Sequence, residues 1–392
     1  MKKLRRLPRL SLENYTLLAV LLVAGGLLAF RLVSLLPGMS TYEQVLPSVS
    51  DSLHTLWELP VNLPLILARG FVAAVSTSTG IGLSRLPNVL LALILALMMF
   101  WLLKRWYGYR LALFGMLLLL TAPWFLRTGR LASSDIVYPL GMTTVLVLAA
   151  LWHGSKRGRL LLYFTAVAAA ILLYIPGMIW LLIGVGVIER RSIWQLAKSL
   201  KKHAWLSLLL ALILLIPMAH SLMLHWQNIK LFVGLPIVLP TVLGFAQEFA
   251  KVWQYLFIGG WHNPVYNLSG LPIVTVVVSI LFIVGIYLHS KHPSSSRSRT
   301  HLYLWLVGTV LIALQSASYS LLLPIVVVLA VGGVGYLLHL WLKIFPRNPL
   351  ARSFGIGLMA TVLCFTVAYN LRDYYVAWPG TPATRAAFQQ QP

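Results

Sequence analysis

The fold of this chain is decided by two neighbouring stretches, SRLPNVLLALILALMMFWLLKRWYG (84–108) and ALFGMLLLLTAPWFLRTGRLASSDIVYPLGMTTVLVLAALW (112–152). They contain apolar runs close to the ~20 residues that a helix needs to cross a bilayer. Short basic or polar segments separate these runs, as in the loops of membrane proteins. The two stretches therefore predict three consecutive membrane-spanning helices.

The rest of the chain has the same character. Of its 392 residues, 59% are hydrophobic and only 10% are charged, whereas a soluble domain has about 25% charged residues. The net charge of +23 comes from basic clusters between apolar runs rather than from a nucleic-acid-binding patch. The composition excludes a disordered chain, an ordinary cytosolic enzyme and a partner role for nucleic acid. The single cysteine, Cys364, excludes an intrachain disulfide.

We predict an all-α polytopic membrane protein, with residues 1–392 forming one integral membrane domain of about eleven transmembrane helices. The spans are predicted at 15–37, 87–103, 111–127, 136–153, 159–175, 176–189, 204–224, 271–289, 301–316, 320–342 and 353–371. The pair around Pro176 and Gly177 is compatible with two short spans or with one broken helix and a re-entrant piece. With the N-terminus in the cytoplasm, most basic residues lie on the cytoplasmic side, as the positive-inside rule requires. The C-terminus is then outside the cell membrane, where the tail over 372–392 is expected to pack little.

Two segments outside the membrane carry most of the remaining information. The first, 38–86, combines apolar residues with several prolines and predicts short interfacial helices. The second, 225–270, is rich in aromatic and polar residues. It fits either an interfacial belt or the wall of a site for an amphipathic substrate. Within the span at 320–342, Gly332, Gly333 and Gly335 predict close helix packing.

Six of the eight acidic residues fall on the outer side in this topology. Glu43, Asp51 and Glu58 lie in the first outside segment, and Asp135 opens the fourth span. An ionisable group at such a position is a functional candidate by default. A salt bridge between Arg130 and Asp135 is the structural alternative.

The two opening stretches resemble GT-C-type membrane glycosyltransferases, the superfamily that includes protein O-mannosyltransferases and aminoarabinose transferases. The shared features are the RLP start of the second span, its short basic turn with glycine, and the Pro-Trp and arginine at the end of the third span. The acid that opens the fourth span and the segment YSLLLPIVVVLA (319–330) are also similar.

The resemblance implies a glycosyltransferase that moves a sugar from a polyprenyl-phosphate donor to a lipid, glycan or protein acceptor at the outer face. It implies catalytic roles for Glu43 and Asp135. The substrate-binding candidates are Arg127, Arg130, Arg85, Arg69, Asp51, His54, Glu58 and His262.

The chain also departs from the family pattern. Family members usually carry Asp-Glu after the first span, but Tyr42 precedes Glu43 here. A divalent metal therefore remains open as a cofactor, without a defined ligand set. A lipid or sugar transporter (or flippase) and a catalytically inactive GT-C-like scaffold are the alternative functions.

Overall fold

The computed structural model describes residues 12–44, 52–75, 80–154, 158–236, 238–268 and 270–389, which form helices and no sheet. The α-helices α1 to α21 are, in order, Leu12–Ala29, Thr41–Gln44, Ser52–Glu58, Leu63–Val75, Ile81–Tyr107, Tyr109–Thr121, Pro123–Arg130, Val137–Gly154, Arg159–Leu173, Met178–Ile188, Arg190–Ser199, Lys201–Leu214, Ile216–Leu224, Asn228–Val233, Val242–Phe257, Val276–Ser290, Ser296–Ala313, Leu323–Ile344, Pro349–Arg372, Trp378–Gly380 and Pro382–Ala387. Shorter helical turns cover Ser134–Ile136, Tyr319–Leu322 and Asp373–Ala377.

The predicted all-α membrane class is confirmed, and a helix occupies each predicted span. Within the described residues, four helices are long and apolar enough to cross a membrane, or up to six if each of two bent pairs is one span. The other apolar helices, such as α9 and α10, are shorter. The protein is therefore a multi-pass membrane protein, but the count of eleven spans is not confirmed. Helices α2 to α4 fill the described part of the first outside segment, and their interfacial position stays a prediction.

The breaks between helices follow from proline and glycine. Helices α6 and α7 meet at 61°, and α12 and α13 meet at 41°. Pro123 and Pro217 lie in the first turns of α7 and α13, where a missing N–H is tolerated but the preceding helix cannot continue undisturbed. Helix α9 ends before Pro176, and Gly177 takes the left-handed conformation at the start of α10. The Pro176–Gly177 pair thus separates two helices rather than bending one.

Helices α16 and α18 pack backbone against backbone. A Cβ atom at Gly285 would meet the carbonyl oxygen of Leu329, and one at Gly333 would meet that of Leu281. Glycine is required at both positions because backbone faces backbone there. The predicted packing role of the glycines in this span is confirmed at Gly333.

Side-chain contacts define two ends of the bundle. At one end, Glu43 pairs with Arg85, and Ser320 donates a hydrogen bond to the Asp135 carbonyl. We call this the site end. At the opposite end, the Arg297 guanidinium lies over the rings of Trp106 and Tyr107. Glu43 and Asp135, which are predicted to lie outside, are therefore at one end of the bundle. Arg297, which belongs to a basic cluster predicted to be cytoplasmic, is at the opposite end.

The C-terminal segment differs from its prediction. Tyr374, Trp378 and Phe388 are almost completely buried. The Trp378 indole N–H donates to the Pro264 carbonyl at 2.9 Å, and Thr384 donates to the same oxygen at 3.2 Å. The expectation of a loosely packed tail was wrong, because its aromatic residues insert into the site end.

Candidate active site

A cavity of about 630 Å³ lies at the site end of the bundle. The turn before α8, the loop over 261–266 and residues 315–320 form most of its wall, and Trp124 and Thr128 of α7 contribute one side. One carboxylate, several serine and tyrosine hydroxyls and the amides of Asn263 and Gln315 line it. The described lining includes no lysine or arginine. Such a mixture of aromatic faces with hydrogen-bonding groups suits a ligand that has both polar and apolar faces.

Asp135 supplies the carboxylate of this cavity. Its backbone carbonyl accepts a hydrogen bond of 2.8 Å from Ser320, which ties the start of α8 to the 315–320 loop. The Ser133 hydroxyl lies 3.5 Å from Oδ2, and the hydroxyls of Tyr266 and Ser318 also interact with the carboxylate. Asp135 is half-buried. It is therefore held in place by hydroxyl groups while remaining accessible from the cavity.

Aromatic rings surround the carboxylate. Trp261 and Tyr266 are stacked with an interplanar angle of 6°, and the Trp261 ring centroid lies 4.9 Å from that of Tyr319. Burial raises the pKa of the Tyr266 hydroxyl, and the neighbouring charge of Asp135 raises it further. Tyr266 consequently stays protonated and acts as a hydrogen-bond donor to Asp135.

Glu43 has a different environment. It is 3% exposed, and Arg85 contacts both carboxylate oxygens, with Nε 2.9 Å from Oε1 and Nη2 3.1 Å from Oε2. The backbone N–H groups of Ser40 and Ala132 each donate a further bond of 3.0 Å. The carboxylate thus joins α2, α5 and the segment after α7. The catalytic role of Glu43 stays a prediction. This geometry favours a positioning role, in which Glu43 holds the wall of the cavity in place.

Arg127 and Arg130 contact the C-terminal segment and do not line the Asp135 cavity, but Arg127 Nη1 donates to the backbone carbonyl of Tyr266, in the cavity wall, at 3.2 Å. Arg127 Nη2 lies 2.9 Å from Asp373 Oδ2. Arg130 lies over the ring of Tyr374 at 5.2 Å and donates to the Phe30 carbonyl at 2.6 Å. Arg130 therefore does not form the salt bridge with Asp135 that was the structural alternative.

The other predicted site residues are dispersed. Arg69 is buried in α4, and Glu58 is exposed at the end of α3. His262 lines an adjacent cavity of about 530 Å³, which shares Tyr42 and Trp261 with the Asp135 cavity. Asp51 and the side chain of His54 lie outside the described residues.

Sequence reasoning missed the hydroxyl-bearing residues that line the cavity. Ser316, Ser318 and Ser320 belong to the run QSASYS (315–320), which separates two apolar segments. A polar run between two spans is the signal that indicates such a loop. Tyr266 gave no separate signal because aromatic residues are frequent throughout its segment.

The described residues form no preformed site in which protein side chains alone would hold a divalent metal. They contain no cluster of three or more His, Cys, Asp or Glu side chains that could hold an ion. The Glu43 oxygens are already used by N–H donors, and Asp135 is the one carboxylate of the cavity lining. A hard cation held by the protein alone needs several oxygen ligands, and among the described residues the cavity brings one carboxylate to such a role.

Solved structures with similar folds support the predicted architecture. ArnT from Cupriavidus metallidurans, bound to undecaprenyl phosphate, has a TM-score of 0.53 and 13% sequence identity, covering 95% of this chain and 76% of ArnT. The archaeal oligosaccharyltransferase AglB from Archaeoglobus fulgidus, in complex with an inhibitory peptide and a dolichol-phosphate, has a TM-score of 0.55 and 12% identity. That match covers 97% of this chain and 57% of AglB.

No protein-family model and no curated protein matches the sequence. The similarity is therefore one of fold, and both matched proteins are GT-C glycosyltransferases. The chain has the polytopic fold of that class, as its resemblance predicted.

Proposed function

We propose that the protein transfers a sugar from a polyprenyl-phosphate donor to an acceptor hydroxyl at the outer face of the membrane. The observation that carries this proposal is the half-buried Asp135 carboxylate in a hydroxyl-lined and aromatic cavity at one end of a GT-C-like bundle. The stacked Trp261 and Tyr266 rings offer apolar faces to the C–H surface of a pyranose. The matched structures contain polyprenyl-type phosphates, which motivates the donor class.

In the proposed reaction, an Asp135 oxygen accepts the proton of the acceptor hydroxyl. The acceptor oxygen attacks the anomeric carbon, and the bond between that carbon and the phosphate oxygen breaks. The polyprenyl phosphate leaves with the electron pair of that bond. Hydroxyl and amide donors of the lining, including Asn263 and Gln315, stabilise the charge that develops on the leaving oxygen.

The paired residues Glu43 and Arg85 serve this site indirectly. Glu43 binds the backbone N–H of Ala132, three residues before Asp135. Arg85 also donates to the carbonyls of Leu32 and Gly38. This pair therefore fixes the first outside segment against the turn that presents Asp135. In the proposed topology the N-terminus is cytoplasmic, and the site end and C-terminus are outside.

The test is sugar release and transfer in proteoliposomes with a panel of polyprenyl-phosphate sugars. Asp135→Asn is expected to reduce transfer by about 10²- to 10⁴-fold, the usual contribution of a general base. Glu189→Gln is the matched control, because Glu189 accepts a hydrogen bond from Ser296 at the opposite end of the bundle, and its activity should equal that of the wild type.

Equal activity in wild type and Asp135→Asn would contradict the assignment of the base. A folded wild type that acts on no donor would favour the inactive scaffold, or the flippase if it moves lipid between leaflets.

A further inference from the structure

A separate cleft, of about 380 Å³, lies between α7, the start of α16 and the end of α19. Helix α7 separates it from the Asp135 cavity, because Trp124 and Thr128 line the cavity whereas Pro123 and Arg127 line the cleft. One part of the cleft is apolar and exposed, with Val276 and Phe365 at its surface. The cleft is therefore amphipathic.

Three buried polar atoms at the head of the cleft lack a hydrogen-bond partner among the described residues. They are Nε of Arg127, Oδ1 of Asp373 and Oγ1 of Thr275. The Arg127 side chain is only 4% exposed and that of Asp373 12%. Buried polar groups are normally paired, because an unpaired one has lost its water without compensation. Their concentration around one cleft indicates a missing polar ligand.

The charge of the cleft limits what this ligand is. Arg127 and Asp373 pair through Nη2 and Oδ2 at 2.9 Å, so their formal charges cancel. What remains is an N–H donor on the arginine and an acceptor oxygen on the carboxylate. A bare phosphate monoester would face the unpaired carboxylate oxygen with the same sign of charge. A headgroup with both an anionic and a cationic part satisfies both residues.

We propose that this cleft binds a phospholipid whose headgroup carries a phosphodiester and a protonated amine, as phosphatidylethanolamine does. The phosphate accepts a hydrogen bond from Arg127 Nε, and the ammonium donates to Asp373 Oδ1 and Thr275 Oγ1. An acyl chain follows the apolar surface of Val276 and Phe365. This site does not depend on the proposed glycosyl transfer, since α7 separates the two.

The test is native mass spectrometry of the full chain, extracted from vesicles that contain equal amounts of phosphatidylethanolamine, phosphatidylglycerol and polyprenyl phosphate. Wild type should retain phosphatidylethanolamine. Val276→Trp fills the exposed part of the cleft and should lower the retained lipid at least tenfold. Ile280→Trp is the matched control, because Ile280 is exposed one turn further along α16 and does not line the cleft.

A second variant tests the charge argument separately from steric blocking. Asp373→Asn leaves Arg127 without its counter-charge, so the retained lipid should change from phosphatidylethanolamine to phosphatidylglycerol. Asp135→Asn should leave retention unchanged whether or not the protein transfers sugar. Equal retention in wild type and Val276→Trp, an unchanged preference in Asp373→Asn, or selective retention of polyprenyl phosphate by wild type would each overturn the proposal.

Discussion

At the scale of single residues, Gln315 combines an unfavourable backbone conformation with a place in the Asp135 cavity. Its φ angle is 57°, in the left-handed region, and it follows the end of α17. A residue with a Cβ pays roughly 1–2 kcal/mol for this conformation, and glycine is the usual residue at such a helix end. The Gln315 amide lines the cavity, so its side chain offers a function that glycine would lose.

We therefore predict opposite effects of Gln315→Gly on stability and activity. The free energy of unfolding should rise by about 1 kcal/mol because backbone strain is removed. Transfer should fall by about threefold to tenfold, the value of one neutral hydrogen bond. Thermal unfolding in detergent and the transfer assay measure the two effects.

Asn62→Gly is the control for this prediction. Asn62 has a φ angle of 62° but does not line the cavity, so its variant should not lose activity. Loss of activity in both variants, or in neither, would remove the argument for the Gln315 side chain.

The buried pair of Glu43 and Arg85 gives a second prediction at this scale. Glu43→Gln leaves the Arg85 charge without its counter-ion in a site that is almost fully buried. Breaking such a pair costs about 3–5 kcal/mol, whereas replacing both partners by apolar residues costs less. Thermal unfolding should show that the double variant Glu43→Leu/Arg85→Met is more stable than Glu43→Leu alone and than Arg85→Met alone. A double variant that is less stable than both singles would indicate that the pair itself supplies the stability.

The sequence indicates Asp135 as a candidate site residue, but it does not indicate which residues pair with Arg127 and Arg130. Asp135 is a candidate because a carboxylate at the start of an apolar span is costly; the structure places it in a cavity, and its catalytic role stays a prediction. Arg127 and Arg130 are substrate-binding candidates that the resemblance implies. Their partners, Asp373 and Tyr374, come more than 240 residues later, and such pairing depends on tertiary packing that no local pattern encodes.

At the scale of elements, apolar runs predicted where helices lie but not how far each one extends. Every predicted span contains a helix, yet Pro123 and Pro217 divide two of them. Hydropathy averages over about 20 residues and does not register a bend. The glycines of α18 were more informative, because a residue without a Cβ marks the place where two backbones approach each other.

The contact between α16 and α18 should therefore be sensitive to a single methyl group. In Gly285→Ala the added Cβ meets the backbone carbonyl of Leu329, which a side-chain rotation cannot relieve. We expect the free energy of unfolding to fall by about 1–3 kcal/mol, the usual cost of an overpacked core. Thermal unfolding in detergent measures it.

The control is Gly357→Ala in α19, where a Cβ meets nothing within 4 Å. Its stability should be unchanged or slightly higher, since alanine favours helix more than glycine does. A neutral Gly285→Ala would mean that α16 and α18 move apart without cost.

At the scale of the whole molecule, the two ends of the bundle predict a topology that labelling can measure. Helix α21 binds the Pro264 carbonyl at the site end through Thr384. His292 follows α16 near the His289–Ser298 hydrogen bond, in a loop predicted to be cytoplasmic. Helices α17, α18 and α19 lie between His292 and α21. If all three cross the membrane, the two positions face opposite sides.

In a Cys364→Ser background, an impermeant maleimide should label Ala383→Cys in intact cells. Both introduced positions are exposed in the folded chain. His292→Cys should react only after the cells are permeabilised, which provides the control for its reactivity. Labelling of both positions from outside would mean that an even number of these helices cross, and it would contradict the predicted cytoplasmic side of the loop at His292. Labelling of His292→Cys alone would invert the topology and place the proposed transfer on the cytoplasmic face.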